Sequence, residues 1–298
     1  MIIKKVFFTM QSKLNAPKIA GITAFCLGGV KLAAGLISGS VAVISSAIDS
    51  IMDCMISFFN FLAIKKSDSE ATKQFNYGFG KLEALMASCD GLFIAGIGCF
   101  IFFSSIKKIA ANDHSIDFGI AFWVMLFSTI VTFFLVLFLT KQFKLANSLV
   151  IKADILHYKT DLFTNIGIII TLILIKITNL VIIDCIVGIL ISVYIIFSAV
   201  KLIKDGIYVL LDGALENEIV NDIKNKIAKT PEISDFHNFR TRKSGDTCFF
   251  SAHLVFNSDI SLKKAHDIGD EIENFLKEKY NFYTWQIDLH FDPTDDSK

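Results

Sequence analysis

A chain of 298 residues that is 53% hydrophobic and 19% charged, with mean hydropathy +0.56, is too apolar for an ordinary soluble domain, where about a quarter of residues are charged. Its net charge of zero hides two opposed parts: residues 1–207 carry 18 Lys and 12 Asp/Glu, net +6, while residues 208–298 carry 11 Lys/Arg and 17 Asp/Glu, net −6. An acidic soluble part lacks the positive surface that phosphate backbones require, which argues against a nucleic-acid partner, and six cysteines without a CxxC pair argue against a disulfide framework.

Residues 1–18 hold lysines but no short apolar core followed by a cleavage site, so they read as a cytoplasmic lead-in and not as a signal peptide. Six apolar stretches follow, at 19–38, 41–64, 83–106, 118–140, 150–175 and 178–200, each near the ~20 residues a bilayer requires. No proline lies between 18 and 230, which suits uninterrupted helices. Ser38-Gly39-Ser40 leaves room only for a tight hairpin between the first two spans. Lysine placement orients them. The N-terminus, the 2–3 and 4–5 connections and the exit from span six hold 13 lysines, against three (Lys107, Lys108 and Lys176) on the opposite side. Both termini are therefore predicted to be cytoplasmic, with residues 1–207 as a lipid-embedded six-helix domain and 208–298 as a cytoplasmic one.

The second span carries a polar stripe, with Ser46, Asp49, Asp53, Ser57 and Asn60 close to one helical line. Burying carboxylates in hydrocarbon is costly, so Asp49 and Asp53 are expected to face the bundle interior and hold something there. The fifth span repeats the spacing: His157 and Asp161 are four residues apart, on one face with Asp154 and Asn165. If the two helices face each other, Asp49, Asp53, His157 and Asp161 make a four-ligand set of three oxygens and one nitrogen. Such a set suits tetrahedral Zn²⁺, and Cd²⁺, Fe²⁺, Co²⁺ or Mn²⁺ could also fit. The plainer alternative is a structural polar network between packed helices. Because such ligands must be deprotonated to hold a metal, protons compete for the same atoms.

Beyond residue 207 the periodicity changes. Residues 219–227 read as an amphipathic helix, 233–242 and 248–256 as strands about a Lys243-Ser244-Gly245-Asp246 turn, 261–280 as a Ser-capped helix, and 284–291 as a third strand. The α-β-β-α-β order predicts an α+β sandwich with two helices on one face of a three-stranded sheet. Four of the six histidines fall here: His237, His253 and His290 on successive strands, and His266 early on the second helix. Asp292, beside His290, could bridge two ions, so a second metal site is expected in this part.

Taken together, Asp49/Asp53, His157/Asp161, Tyr77-Gly78-Phe79-Gly80-Lys81-Leu82-Glu83, Leu210-Leu211-Asp212 and Phe239-Arg240-Thr241-Arg242-Lys243-Ser244-Gly245 resemble the cation diffusion facilitator family, in order and over nearly the whole chain. The closest similarity is to its bacterial zinc/iron-efflux branch. The resemblance implies a homodimeric metal/proton antiporter of the bacterial inner membrane, with six transmembrane helices and a metallochaperone-like cytoplasmic domain. It implies that Asp49, Asp53, His157 and Asp161 bind the transported ion. It further implies that His237, His253, His266, His290 and Asp292 form a two-ion site that tightens the dimer, and that Lys81 pairs with Asp212. This chain departs from the branch at Phe75 and Phe79, where histidines are usual, and at Thr72, where a carboxylate is usual, so the loop metal site built there is expected to be missing or badly weakened. Asp90, inside span three, stands where a neutral polar residue is expected; it reads as a proton-relay group, a packing partner for Lys31, or a side chain at a water-filled edge.

Other classes find little support. A membrane metalloprotease would need HExxH and a serine protease GxSG-type chemistry; neither motif is present, so an enzyme is not expected. A non-transporting metal sensor or scaffold of the same fold is the alternative to efflux, and the four-ligand set speaks against it.

Overall fold

The computed structural model describes residues 2–38, 41–111, 120–146, 148–178, 182–257 and 259–295; the side chains of some helical residues within these ranges, Asp49 and Asp184 among them, lie outside the description. Gly39, Ser40 and His114 also lie outside it. The chain divides into two compact units, one formed by residues 7–69 and 82–207, the other by 1–6, 70–81 and 208–298.

The first unit is helical. Its elements are α1 (Ile2–Ser38), α2 (Val41–Ser67), α3 (Lys81–Ala111), α4 (Ile120–Ala146), α5 (Leu149–Thr178) and α6 (Ile182–Leu210), each at least 27 residues long. At about 1.5 Å per residue, every one is long enough to cross a ~30 Å hydrocarbon core. Within α1, α3, α4 and α6, the stretches Lys13–Ala34, Lys81–Lys107, Leu126–Ala146 and Ile186–Leu210 are also apolar enough to do so. The other two helices, α2 and α5, carry the candidate ligands.

α1 departs from the expected start at residue 19: it runs unbroken through Pro17. A helix-interior proline forfeits one backbone hydrogen bond. Packing offsets that loss, because Ala16 and Ala20 are fully buried against Leu135, Leu139 and Ile151 in one apolar cluster. Lys13, one turn earlier, is not a surface lysine. It is buried, its Nζ 3.0 Å from Glu83 Oε1, and Ser148 Oγ donates to Glu83 Oε2 at 2.6 Å. α5 lies between two clusters, touching α4 through Val150, Ile151 and Ile155 and α3 and α6 through Ala153. Small residues bring α3 and α6 together: a Cβ on Gly206 would lie 2.1 Å from Ser88 Oγ and 2.9 Å from the Ala84 carbonyl oxygen.

The second unit contains α7 (Asn217–Ala228), β1 (Ile233–Ser244), β2 (Thr247–Phe256), α8 (Leu262–Lys279) and β3 (Thr284–Asp292). The sheet order is β1-β2-β3, with β1 antiparallel and β3 parallel to β2. Gly245, at φ 59°, makes the hairpin tight enough for Ser244 to pair with Thr247. Ser261 caps α8, its side chain accepting from the Lys264 N–H. Ile219, Ile223 and Ile227 of α7 and Ala265, Ile268, Ile272 and Leu276 of α8 recur at helical spacing and pack on the inner-face residues Cys248, Phe250, Ala252 and Leu254 of β2. Each isoleucine or leucine among them, fully buried, is worth about 1.5–3 kcal/mol. Burial also pushes the Cys248 thiol up to about 12, which leaves it an inert core residue.

Candidate metal centres

The first centre lies between α2 and α5. His157 Nε2 is 2.7 Å from Asp53 Oδ1 and 3.8 Å from Asp161 Oδ2. One ligand atom from each of the three lies within 4.8 Å of the others. These separations straddle the ~3.3 Å edge of a tetrahedron with ligands at about 2.0 Å. Asp49 stands one turn before Asp53 on α2; its side chain lies outside the described residues. His157 is buried, its ring edge-on to Tyr158 with centroids 5.4 Å apart. The Tyr158 hydroxyl shares a hydrogen bond with Ser57 Oγ at 3.1 Å and donates to the Ala20 carbonyl. The Ser57 end of the polar stripe thus holds α5 in place against α2.

Asp90 has a partner other than the one the sequence suggests. It accepts from Asn60 Nδ2 at 2.8 Å, whereas Lys31 donates to Ser50 Oγ at 2.9 Å. α3 delivers Asp90 to the Asn60 end of α2, seven residues beyond Asp53, and Lys31 on α1 meets α2 nearer its start.

The second centre lies on the outer face of the sheet. Register puts His237 opposite His253 and His253 opposite His290, so three imidazoles form one row across three strands. Their ring centroids are 4.8 and 4.7 Å apart. A bulge makes this possible. His237 pairs with His253 and Arg240 with Ser251, so β1 spends one more residue than β2, and Asn238 takes φ 50° to absorb it. Asp292, two residues past His290 and therefore on the same face, is 5% exposed. Its Oδ2 is 3.0 Å from His253 Nδ1 and 3.6 Å from His237 Nε2, and its Oδ1 is 3.1 Å from His290 Nε2. One carboxylate therefore serves imidazoles with both oxygens, the arrangement needed to bridge two ions.

His266 is not in this row within its own chain. α8 packs on the inner face of the sheet while the histidines occupy the outer one, and His266 is exposed beside Asp270, 3.6 Å away. Sequence order alone carries no information about which face of a sheet a helix will cover.

The loop before α3 is organised by aromatic contacts. Phe75 and Phe79 stack on each other with centroids 4.9 Å apart. Tyr77 meets Phe249 edge-on, and the Arg242 guanidinium lies over both rings, at 5.0 and 3.8 Å. Gly80 runs so close to Ser244 that a Cβ would sit 2.7 Å from its backbone. Lys81 Nζ is 3.0 Å from Asp212 Oδ1 and donates to the Leu210 carbonyl, while Arg242 reaches the same Asp212 oxygen at 3.3 Å. The Lys81 hydrogen bond, aided by the nearby Arg242 charge, holds the Asp212 carboxyl below the usual carboxylate range.

Residues 18–211 match the cation efflux transmembrane domain, and residues 215–294 match the cytoplasmic domain of cation efflux proteins. The chain belongs to the cation efflux, or cation diffusion facilitator, family. It is 31% identical over 281 residues to the cation-efflux pump FieF of Yersinia enterocolitica, covering 93% of each chain. It is 32% identical over 276 residues to that of Pectobacterium atrosepticum, covering 92% of this chain and 90% of the relative. To that of Salmonella newport it is 30% identical over 264 residues, covering 89% and 87%. The protein is thus an integral membrane member of a cation-efflux family. Three polar links give no distinct sequence signal: Lys13 with Glu83 and Ser148 and Asn60 between Asp90 and Asp154, both buried, and the partly exposed ion pair of Lys152 with Asp205. Each joins residues at least 30 positions apart, beyond the reach of helical spacing.

Proposed function

We propose that this chain exports divalent metal ions, zinc foremost, in exchange for protons, as a homodimer in a bacterial inner membrane with both termini in the cytoplasm. Residues 1–207 act as the transport domain and residues 208–298 as the metal-binding dimerisation domain. The observation that carries the reading is the convergence of Asp53, His157 and Asp161 from two helices of an efflux-family membrane domain. Asp49 completes the set as the fourth ligand from α2. The relatives' name, cation-efflux pump, supports the direction.

The donor chemistry supplies the exchange. Carboxylates and imidazole ligate only when deprotonated, so metal release and proton uptake occur at the same atoms. An imidazole's ordinary pKa lies near physiological pH, which suits His157 to that trade. One nitrogen and three oxygens favour zinc and accommodate cadmium, while Fe²⁺, Co²⁺ and Mn²⁺ fit less well. On the sheet, His237, His253, His290 and Asp292 suit a resident zinc pair, and the imidazole-rich set makes it a sensor of internal metal. A site that also used His266 would need it from a second chain, because in its own chain α8 lies across the sheet from the row.

Reconstitution tests this. Vesicles holding the full-length protein should accumulate zinc when a pH gradient is imposed, and Asp53→Ala or His157→Ala should not. Zinc binding without any wild-type uptake would favour the non-transporting sensor instead.

A further inference from the structure

Three side chains outside the Asp53–His157–Asp161 set converge from three helices: Asn60 of α2, Asp90 of α3 and Asp154 of α5. Asn60 is 0% exposed, Asp154 2% and Asp90 9%. Both amide hydrogens of Asn60 are used, its Nδ2 donating to Asp90 Oδ2 at 2.8 Å and to Asp154 Oδ1 at 2.7 Å. Among the described residues, Asn60 Oδ1 and Asp154 Oδ2 are buried without a hydrogen-bond partner. No lysine or arginine forms an ion pair with either carboxylate among those residues.

A structural polar network would be satisfied. This one has five oxygens and two N–H donors, so it is short of positive charge and not of hydrogen-bond acceptors. Two carboxylates sealed in a membrane domain with no cation on them are costly. A half-turn of the Asn60 amide exchanges its oxygen and nitrogen. Its oxygen then faces the same two carboxylate oxygens, and three oxygens from three helices line one point.

We propose that Asn60, Asp90 and Asp154 form a second intramembrane cation site, an oxygen-only set that takes a hard divalent cation. Oxygen-only ligands select Mn²⁺ or Mg²⁺ over thiolate- and imidazole-preferring ions. Asn60 follows Asp53 by seven residues and Asp154 precedes His157 by three, so the two sites are offset by about 10 Å along α2 and about 4.5 Å along α5. Both can be filled at once. Asp154 lies between the N-terminal end of α5 and His157, so an ion approaching along that helix meets the oxygen-only set first. The readout is equilibrium binding, so the site's existence is decided separately from whether the protein transports.

The probe is Mn²⁺, titrated into the purified full-length protein and counted by the loss of its free-ion electron paramagnetic resonance signal. Asp90→Asn combined with Asp154→Asn preserves shape and removes both charges; it should bind one fewer Mn²⁺ per protomer than wild type. Asn60→Asp adds a third carboxylate and should tighten Mn²⁺ binding at this site at least tenfold. Equal counts in wild type and the double variant would overturn the proposal. So would an Asn60→Asp protein that melts at lower temperature with Mn²⁺ affinity unchanged, the behaviour of a purely structural network. A double variant whose pH dependence moves while its Mn²⁺ count stays the same would assign the carboxylates to protons and also overturn it. Should the double variant fail to fold, the Asn60→Asp affinity decides alone.

Discussion

The two candidate metal centres are built on opposite plans. In the membrane unit, helical i,i+4 spacing sets the ligands within α2 and within α5, and only the packing of one helix on the other joins them. On the sheet, one hydrogen-bonded row fixes three histidines at once, and Asp292 holds them from the next position on the same face. A sliding of α2 against α5 changes the first centre without breaking a backbone hydrogen bond, whereas the second cannot change without breaking the ladder. Among the described residues the first also has two carboxylates to one imidazole, and the second is mostly imidazole. That contrast fits the proposed roles, the first centre to capture and release metal and the second to hold it.

Four perturbations bear on that contrast. The largest effect falls on the membrane centre: Asp53→Ala should cut metal uptake by reconstituted vesicles at least about 100-fold, since loss of even an outer partner of a metal ligand costs 10–100-fold. Zinc bound by the sheet histidines should be unchanged, as equilibrium dialysis of the full-length variant would report. The converse change, His253→Ala, removes the middle imidazole and should weaken zinc binding at the sheet by about 10–100-fold. It should leave the zinc dependence of uptake through Asp53, His157 and Asp161 within a few-fold of wild type. Equal losses of uptake in the two variants would erase the distinction drawn between them.

The third perturbation tests the bulge. Asn238→Val forces a β-branched residue into left-handed backbone and should destabilise this unit by about 1–2 kcal/mol, read from denaturant unfolding. Asn238→Gly, free of that penalty, should be near neutral and retain zinc.

The smallest effect is electrostatic. Lys81 and Arg242 lower the folded pKa of Asp212, so the pair's stabilisation is complete above the unfolded carboxylate value of about 4 and is lost as pH falls through the lower folded value. Asp212 is half exposed, so Asp212→Asn should cost no more than about 1 kcal/mol at neutral pH and nothing in strong acid. Unfolding of the variant at both pH values would show it.

What could be read from the sequence follows the same division. The helical spacing was legible because a single period places Asp49 with Asp53 and His157 with Asp161, and the structure brings Asp53, His157 and Asp161 together. The strands of the second unit were legible from alternation, and β1 and β3 each ran slightly further than the pattern, to Ser244 and Asp292. The row of histidines was only half visible. Each lay on its own strand, but their alignment depends on register and on the bulge at Asn238, neither of which leaves a composition signal. His266 stands apart from the row in its own chain for a related reason, since the face a helix covers is settled by the Ala265–Ile268–Ile272–Leu276 stripe packing inward. Lys13 counted in the sequence only as one of the lysines of the N-terminal lead-in, and is buried on Glu83. Asp90 looked like a partner for Lys31 and instead accepts from Asn60. In both cases the deciding contact comes from a distant helix.

Proton-coupled zinc uptake, compared between wild type and Asp53→Ala in the same vesicles, tests the central claim most directly. The account predicts zinc entry driven by an imposed pH gradient, with protons leaving as zinc enters, and neither movement in the variant. Wild-type vesicles that move no zinc under the gradient, or variant vesicles that move it equally well, would contradict it.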